Sequence, residues 1–423
     1  MGGGSESHGL TSGKHRESAL STDSLGEPAG AVPRPATDLV EPWPESKNGI
    51  LVLRAANGWD GPWFADQQLA KSLSRHVSVL YVDPAVSCLD DVPKAAFVRP
   101  WLRSLGPRLT RLSPVVTPAR HRVGIARLTS SLVVRSITKA VEELGGSLEA
   151  LIDCAPFAPV LGRCSERRRV YWAQDDFVAM ADLIGVSRDG MRRGEIRLAR
   201  KADLIVAANP RVEADMSHFG TRTALIPFGC DPTVFGRTLE LEPASDIVLK
   251  PPIAGFMGHI GERIDASLLE AVAAAGVSLL LVGPTHPRFD VKALDTLLSR
   301  PNVQWVGPRH FQELPSYLAA IEVGLVPYNH SPFNEASFPL KTLEYLAAGR
   351  PVVATDLPAI DWLACPFIDV ADSPASFVSA VVRALDSPLD RHGREKLQDF
   401  AGRHTWDVRA REFLREITNI RTG

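Results

Sequence analysis

The stretch Asn334–Thr355, NEASFPLKTLEYLAAGRPVVAT, decides the fold that we expect for this chain. Its pattern predicts a loop, an α-helix, a tight glycine turn and a buried strand in immediate succession. Pro339 suits a first helical turn, where a missing N–H is no loss, and Gly349 suits the C-terminal cap. The apolar run Val352–Ala354 then predicts the strand. Helix and strand in this order indicate an α/β unit.

Two polar residues interrupt the apolar face of this helix. Lys341 and Glu344 are three positions apart and so are neighbours on one face. A helix start with free N–H groups and a lysine in its first turn is a phosphate site. A carboxylate one turn further on can accept hydrogen bonds from a vicinal diol such as a ribose. The alternative is an ordinary ion pair on a solvated helix, and the spacing alone leaves both open.

Size and composition describe a soluble globular protein. A length of 423 residues predicts two domains, and the contents of 45% hydrophobic and 23% charged residues are ordinary. The net charge of −2 gives no overall attraction to nucleic acid. Five scattered cysteines without a C-x-x-C pair argue against a structural zinc site or a disulfide framework.

The N-terminus predicts the compartment. It lacks the apolar core of a secretory signal, and no run approaches eighteen apolar residues, so we expect a cytoplasmic protein whose membrane contact is at most peripheral. Residues 1–46 are rich in Gly, Ser, Pro and Glu, which predicts a disordered tail.

A first doubly wound unit begins after this tail. Strand Ile50–Leu53, the loop Ala55–Pro62, a helix to Leu73 and strand Val77–Val82 follow one another. Ligands bind at the carboxyl edge of such sheets, so polar and aromatic residues near strand ends there are candidates for a ligand site: Asn57, Trp59, Asp60 and Gln68. The alternative is that Trp59 and Trp63 merely cover the helix start.

The segment Arg99–Lys139 carries nine Lys or Arg residues and no Asp or Glu. Its apolar residues have helix-like spacing: Trp101, Leu102, Leu105, Leu109 and Leu112. Such a basic segment can rest on anionic lipid headgroups, and a solvated charged face is the alternative.

Further strand and helix patterns alternate up to a mixed stretch, Thr238–Leu249, where we expect an interdomain hinge. A second series begins at Pro252–Phe256, again with a strand, a glycine loop and a helix. The repetition predicts two similarly wound domains facing a cleft, at residues 47–235 and 246–398, with a C-terminal helix in 399–423 that packs back toward the first domain. Asp175 and Asp176 have the wrong spacing for a D-x-D metal motif, and no His or carboxylate cluster accompanies them, so we expect no metal.

Several motifs together resemble a known family: GHIGERID, LVGP, NVQWVGPRHFQELPSYLA, VGLVPY, FPLKTLEYLAAGRPVVAT and TWDVRAREFL. They resemble bacterial glycosyltransferases of the GT-B fold, most closely the large retaining family four that uses nucleotide-activated sugars. The segment WDGPWFADQQLAKSLSRHVSVLYVDP resembles members that act in cell-surface polysaccharide assembly. The resemblance runs from Ile50 to the C-terminus and implies two Rossmann-like domains around a central cleft.

The resemblance also implies roles for individual residues. Glu344 matches the second glutamate of the family's paired motif, which holds the ribose of the donor, and Arg263 matches a position that contacts the donor diphosphate. The loop Gly307–His310 lies where the family holds the nucleobase. The chain departs from the pattern at Ala336, where the first glutamate is expected, and Glu335 stands one place earlier.

The resemblance thus implies a metal-independent transfer of a hexose, with retention, from a UDP- or GDP-linked sugar to a glycan or lipid-linked acceptor of the cell envelope. No cofactor is implied, because the nucleotide sugar is a substrate, and no nucleic acid is involved. The expected catalytic residues are Arg263, Lys341 and Glu335, and the expected acceptor-side residues are Trp59, Asp60 and Asp175. The expected donor-binding residues are Gly258, Arg263, Gly307, Arg309, Ser337, Phe338, Pro339, Leu340, Lys341 and Glu344.

Two rival functions remain open. A nucleotide-sugar epimerase on the same fold would need acidic and histidine residues around the donor, for which Glu335, His259 and His286 are candidates. A non-catalytic sugar-nucleotide sensor would explain the alanine at position 336.

Overall fold

The computed structural model describes Met1 and residues 48–421, apart from residues 62, 91, 93–98, 119–125, 184 and 287–288. The predicted tail lies outside the described residues except for Met1, and so does part of the basic segment.

The N-terminal half forms one eight-stranded sheet and a separate two-stranded pair. The strands are β1 Gly49–Arg54, β2 Ser78–Val82, β3 Val86–Ser87, β4 Leu102–Gly106, β5 Leu109–Leu112, β6 Val115–Val116, β7 Ser147–Asp153, β8 Arg168–Ala173, β9 Leu204–Ala207 and β10 Thr223–Leu225. Their order in the large sheet is β10-β9-β8-β7-β1-β2-β5-β4, parallel except for the antiparallel β4 at the edge. The central strands are buried along nearly their whole length, as expected when helices cover both faces.

The described residues of this half include the helices α1 Ala65–Leu73, α2 Ala126–Glu143, α3 Phe177–Leu183, α4 Arg188–Lys201, α5 Pro210–Ser217 and α6 Pro232–Phe235. A 3-10 helix, Gly236–Glu240, follows α6. The starts of α4 and α5 are capped by the side chains of Ser187 and Asn209, which accept from backbone N–H groups of the first turn.

The C-terminal half repeats the design with six parallel strands. They are β11 Ile253–Met257, β12 Ser278–Val282, β13 Val303–Trp305, β14 Val323–Val326, β15 Val352–Ala354 and β16 Ile368–Val370. Their order, β13-β12-β11-β14-β15-β16, is that of a doubly wound nucleotide-binding sheet. The helices are α7 Ala266–Ala274, α8 Val291–Leu298, α9 Leu314–Ala320, α10 Pro332–Glu335, α11 Leu340–Ala347, α12 Pro358–Leu363, α13 Pro374–Asp386, α14 Arg391–Gly402 and α15 Trp406–Thr418, with a 3-10 turn at Phe311–Glu313.

The stretch Asn334–Thr355 folds as predicted in its second half and differs in its first. Gly349 has φ +69 and ends α11 before strand β15. Pro339 is the N-cap of α11, one place before the helical turn in which we expected it. The predicted loop begins instead with the last turn of α10, because Ser331 caps a short helix there and its hydroxyl accepts from the Asn334 amide.

Part of the basic segment folds as strands, although its apolar residues have helix-like spacing. Leu102–Gly106 and Leu109–Leu112 form an antiparallel hairpin around the turn at Pro107 and Arg108. The helix-like spacing does not produce a helix here, because Leu109 and Leu112 are buried by the sheet, where Leu112 pairs with Leu102. Helix α2 begins only at Ala126.

The chain passes from the N-terminal to the C-terminal half near Cys230. Near its end it returns beside this point, at His404 and Trp406. The Cys230 amide donates to the His404 carbonyl at 2.9 Å, and the Trp406 amide donates to the Cys230 carbonyl at 3.1 Å. Much of the predicted hinge is tied to the C-terminal sheet, because the Ala244 amide donates to Ser316 and the Val248 amide to Gln304. Helix α15 packs against α1 of the N-terminal half.

Within the described residues, none of the helices has both the length and the apolar character required to span a bilayer.

Candidate active site

The carboxyl ends of β11 and β14 meet at the point where the strand order of the C-terminal sheet reverses. Doubly wound domains bind ligands at this switch point. The loop Gly258–Arg263 leaves β11 there, and the loop after β14 leads through α10 to the start of α11. The sequence therefore brings the two parts of the predicted donor site to one edge of the sheet.

Arg263 is held on all sides. Its Nε donates to Asn334 Oδ1 at 2.7 Å, and one terminal nitrogen donates to Ser337 Oγ at 2.7 Å. The guanidinium also lies over the rings of Tyr328 and Phe333, 4.7 and 4.8 Å from their centroids. Two hydrogen bonds and two ring contacts fix a planar cation, which leaves little reorganisation to be made when an anion binds.

Asn334 connects this arginine to the backbone around it. It is completely buried, and its amide nitrogen donates to the carbonyls of Arg263 and Asn329, each at 2.8 Å. Ser337 Oγ in turn donates to the Asn334 carbonyl at 3.1 Å. Sequence analysis placed Asn334 in the decisive stretch without a role. Its partner Arg263 lies 71 residues earlier in the chain, so no local signal could have revealed this contact.

Lys341 extends across the glycine that follows β11. Gly258 has φ +154, and a Cβ atom there would overlap Lys341 Cε, so the absence of a side chain creates the path of the lysine. Burial lowers the pKa of the His259 imidazole, and the charges of Lys341 and Arg263 lower it further. Lys341 and Arg263, the two predicted cations, therefore both lie near His259 at the switch point.

The start of α11 adds free backbone donors. The Thr342 amide donates to the Pro339 carbonyl at 3.0 Å, whereas in the described part of the chain the amides of Leu340 and Lys341 donate to no carbonyl. Phe338 packs instead into an aromatic cluster, 6.1 Å from Phe228 and 6.4 Å from Trp362. This packing holds the helix start in place and leaves its N–H groups available for an anion.

Glu344 lies one turn further along the same helix. Across the described residues its carboxylate has no hydrogen-bond donor and no ion pair. Burial raises the pKa of Glu344, and the nearby Lys341 charge opposes that rise. Lys341 and Glu344 form no ion pair in the described structure, and Lys341 acts on Glu344 only through its nearby charge, so the alternative of a simple ion pair is wrong. A carboxylate without donors, partly buried beside a phosphate site, can accept hydrogen bonds from hydroxyl groups.

Asp175 faces this constellation from the N-terminal half, at the carboxyl end of β8. Burial raises its pKa to about 7, and the Arg263 charge partly opposes that rise. Behind it lies Asp66, a residue that sequence analysis missed, whose carboxylate accepts from Gln174 and from the Asn57 amide. Asp66 is completely buried, and burial raises its pKa. Asp66 thus fixes the loop after β1 in a way that only the fold reveals.

Three predicted side chains have partners elsewhere. Glu335 lies 3.7 Å from Arg211 of α5, Asp60 lies 2.6 Å from Arg111, and Arg309 donates to Asp246 at 2.7 Å. The Asp246 pKa is lowered, chiefly by its bond from Arg309. The side chain of Arg309 is therefore engaged in a contact within the protein. In the predicted nucleobase loop this leaves the backbone for a ligand contact, and Gly307 there has φ +76.

The acceptor-side aromatics form part of the interface between the two halves. Trp59 packs edge-on against Tyr81 with centroids 4.9 Å apart. Trp63 stacks on Phe311 of the C-terminal half at 5.8 Å. Neither contact involves the first turn of α1, so the alternative that these tryptophans cover the helix start and a ligand contact from Trp59 both stay predictions. Gln68 is buried behind them.

The arrangement suits a substrate with adjoining phosphate and hydroxyl groups. Two cations and a helix start can bind a diphosphate, and Glu344 can bind a neighbouring diol. Such a site at the switch point of the second of two doubly wound sheets defines the GT-B class, and this chain has the GT-B fold.

Comparison with known proteins finds a family similarity for the C-terminal half. Residues 252–387 match the family model described as "Glycosyl transferases group 1". The matched region contains Gly258, Arg263, Lys341 and Glu344. It is also 29% identical over 238 residues to "Putative teichuronic acid biosynthesis glycosyltransferase TuaH" of Bacillus subtilis strain 168. The match covers 54% of this chain and 60% of that relative.

Solved structures have the same fold over nearly the whole described chain. A sucrose-phosphate synthase from Thermosynechococcus elongatus superposes with a TM-score of 0.65 at 17% identity, over 86% of this chain and 97% of that one. HepE of Anabaena, solved in complex with UDP and glucose, superposes with a TM-score of 0.58 at 15% identity, over 87% and 98%. The predicted fold class is confirmed.

Proposed function

We propose that this protein is a glycosyltransferase that moves a sugar from a nucleoside diphosphate donor to an acceptor of the cell envelope or of an exopolysaccharide. The observation that carries the proposal is the convergence of Arg263, Lys341 and the start of α11 beside the unpaired carboxylate of Glu344. The group 1 domain, the UDP complex of HepE and the name of TuaH support the donor class and the kind of acceptor.

In the proposed reaction the bond between the sugar C1 and the diphosphate oxygen breaks, and its electron pair stays on the diphosphate. Arg263, Lys341 and the free amides of α11 stabilise this charge. A new bond forms between C1 and an acceptor hydroxyl, whose proton passes to the departing phosphate oxygen on the same face, so that configuration is retained. Losing one such donor costs about 3–4 kcal/mol of barrier. We propose that the reaction needs no metal.

The test is transfer from labelled UDP- and GDP-sugars to lipid and glycan extracts in metal-free buffer. We expect product with the wild type and a loss of at least a hundredfold with Lys341→Ala. Lys292→Ala, in exposed α8, serves as the matched lysine control and should keep full activity. Failure of every donor to bind or react would contradict the proposal.

A nucleotide-sugar epimerase is the second candidate, and one observation favours it. His259 and His286 lie 5.5 Å apart near the donor site, and His286 is 3.2 Å from Glu262. Incubation with the donor alone distinguishes the two functions. Epimerised nucleotide sugar without any acceptor would establish the second candidate and exclude the first.

We further propose that the protein acts at the cytoplasmic face of the membrane through the basic segment 99–139. Arg111 is bound to Asp83 at 2.5 Å, and Arg108 donates to the backbone, so neither is free for lipid. Exposed arginines remain at positions 103, 127 and 135. Changing these three to Gln should reduce co-sedimentation with anionic vesicles, and unchanged sedimentation would contradict the proposal.

A further inference from the structure

The C-terminal half contains a cavity apart from the proposed donor site, at the end of α11 opposite to Lys341. Its volume is about 610 Å³. It lies between the 3-10 helix Gly236–Glu240, the end of α9 and helix α14, and Arg350 forms part of its wall. The eight residues of α11 separate it from the proposed donor site by about 12 Å, at 1.5 Å per residue. The cavity is therefore a separate site.

Two residues that line this cavity each carry a donor atom that is enclosed by protein and lacks an acceptor. Arg350 is 5% exposed, and its terminal nitrogen donates to the Ala319 carbonyl at 3.0 Å, but its Nε finds no acceptor among the described residues. Thr238 is 1% exposed, and its hydroxyl likewise has no partner there. A buried polar group without a partner is unfavourable, and a bound ligand or water is the usual explanation.

Positive charge is concentrated around the same space. Arg394 also lines the cavity, and of its guanidinium nitrogens Nε alone has an acceptor in the described structure, the Leu389 carbonyl at 3.1 Å. Arg391 is paired with Glu395 at the rim, 2.9 Å apart, and Glu240 is exposed. Burial lowers the Arg350 pKa to about 10, and the Arg394 charge adds to this effect. An anion between the two arginines would offset both the burial of the Arg350 charge and its repulsion by Arg394.

We propose that this cavity binds a phosphate group, free or carried by a small molecule, with Arg350 and Arg394 as its charge partners and Thr238 as a hydroxyl donor. Planar guanidinium groups match the oxygens of phosphate in paired hydrogen bonds. The cavity has the size of an ordinary small-molecule site, so it also has room for the carrier of the phosphate. This inference does not depend on the proposed glycosyl transfer.

The experiment is calorimetric titration of the full chain with inorganic phosphate and with a hexose 6-phosphate, at constant ionic strength set with chloride. Lys341→Ala is titrated in parallel, because phosphate bound at the proposed donor site would be lost in that variant. We expect phosphate to bind equally to the wild type and to Lys341→Ala. Tighter binding of the hexose phosphate would identify a carried phosphate, and equal or weaker binding would identify the free ion.

Two variants test the cavity itself. Thr238→Val removes an unpaired hydroxyl and keeps the side-chain shape, so the protein should keep its melting temperature while its phosphate affinity falls at least threefold. Arg394→Gln should lower that affinity at least tenfold. Arg383→Gln is the control, because Arg383 pairs with Asp369 on the exposed surface at 3.0 Å. No binding by the wild type, or equal binding by Arg394→Gln, would overturn the proposal, as would binding that disappears in Lys341→Ala.

Discussion

Arg263 and Asn334 bind each other twice: Arg263 Nε donates to Asn334 Oδ1 at 2.7 Å, and Asn334 Nδ2 donates to the Arg263 carbonyl at 2.8 Å. The first residue follows β11, and the second lies on α10, shortly before α11. This reciprocal pair therefore joins the two loops of the switch point and sets the direction of the guanidinium. A cation fixed before its anion arrives contributes more to binding than a flexible one.

We predict that Asn334→Ala weakens nucleotide binding at least tenfold, because it frees the guanidinium of Arg263 and removes one donor each from the carbonyls of Arg263 and Asn329. The unfolding free energy should fall by about 1–3 kcal/mol. Calorimetry with UDP and GDP measures the first effect, and chemical denaturation measures the second.

Asn302→Ala separates positioning from stability. Asn302 also donates to two backbone carbonyls, those of Ala273 and Val277, but in a part of the domain that does not contact Arg263. The control should lose stability and keep its nucleotide affinity. Equal loss of affinity in both variants would show that Asn334 acts through general stability.

Glu344→Gln should change stability and binding in opposite directions. The carboxylate has no donor in the described structure and burial raises its pKa, so its charged form is costly in the free protein. The amide should therefore raise the melting temperature at pH 8. Nucleotide affinity should fall at least tenfold, because a hydrogen bond to a charged group contributes roughly 1.5–3 kcal/mol. An unchanged affinity would refute the ribose-binding role.

Gly258→Ala should remove activity by displacing Lys341, since the added Cβ would overlap Lys341 Cε. Gly276→Ala is the matched control, because Gly276 also has positive φ, +82, but nothing lies within 4 Å of an added Cβ. Both variants carry backbone strain of about 1 kcal/mol or more. We expect the transfer rate to fall at least tenfold in the first variant alone. Equal rates would show that the path of Lys341 over Gly258 is unimportant.

Asp175→Asn should change how stability depends on pH. The Asp175 pKa is raised to about 7, so between roughly pH 4 and pH 7 the folded state holds a proton that the unfolded state releases. The contribution of Asp175 to stability is thus present at low pH and is lost as pH rises through about 7. The difference in melting temperature between wild type and variant should shift in favour of the variant over this range. A constant difference would contradict the raised pKa.

Sequence by itself determined the alternation of strands and helices, the glycine turn at Gly349 and the place of Lys341 at a helix start, whereas the role of Arg263 was implied by the resemblance. These features depend on local periodicity and on the rule that carboxyl ends of parallel strands share an edge. In doubly wound sheets the carboxyl ends of the strands share this edge regardless of the lengths and sequences of the loops. The motif that contains Glu344 was recognisable for the same reason, because its spacing is fixed by a single helix.

The tertiary structure alone decided which side chains meet. The mutual bonds of Arg263 and Asn334, the support from Asp66 and the pairing of Glu335 with Arg211 join segments that lie far apart along the chain. The hairpin at Leu102–Leu112 was decided in the same way, by burial against a neighbouring strand. Local patterns report which face of an element is apolar. Partners across the fold depend on packing and long-range hydrogen bonds, which periodicity does not encode.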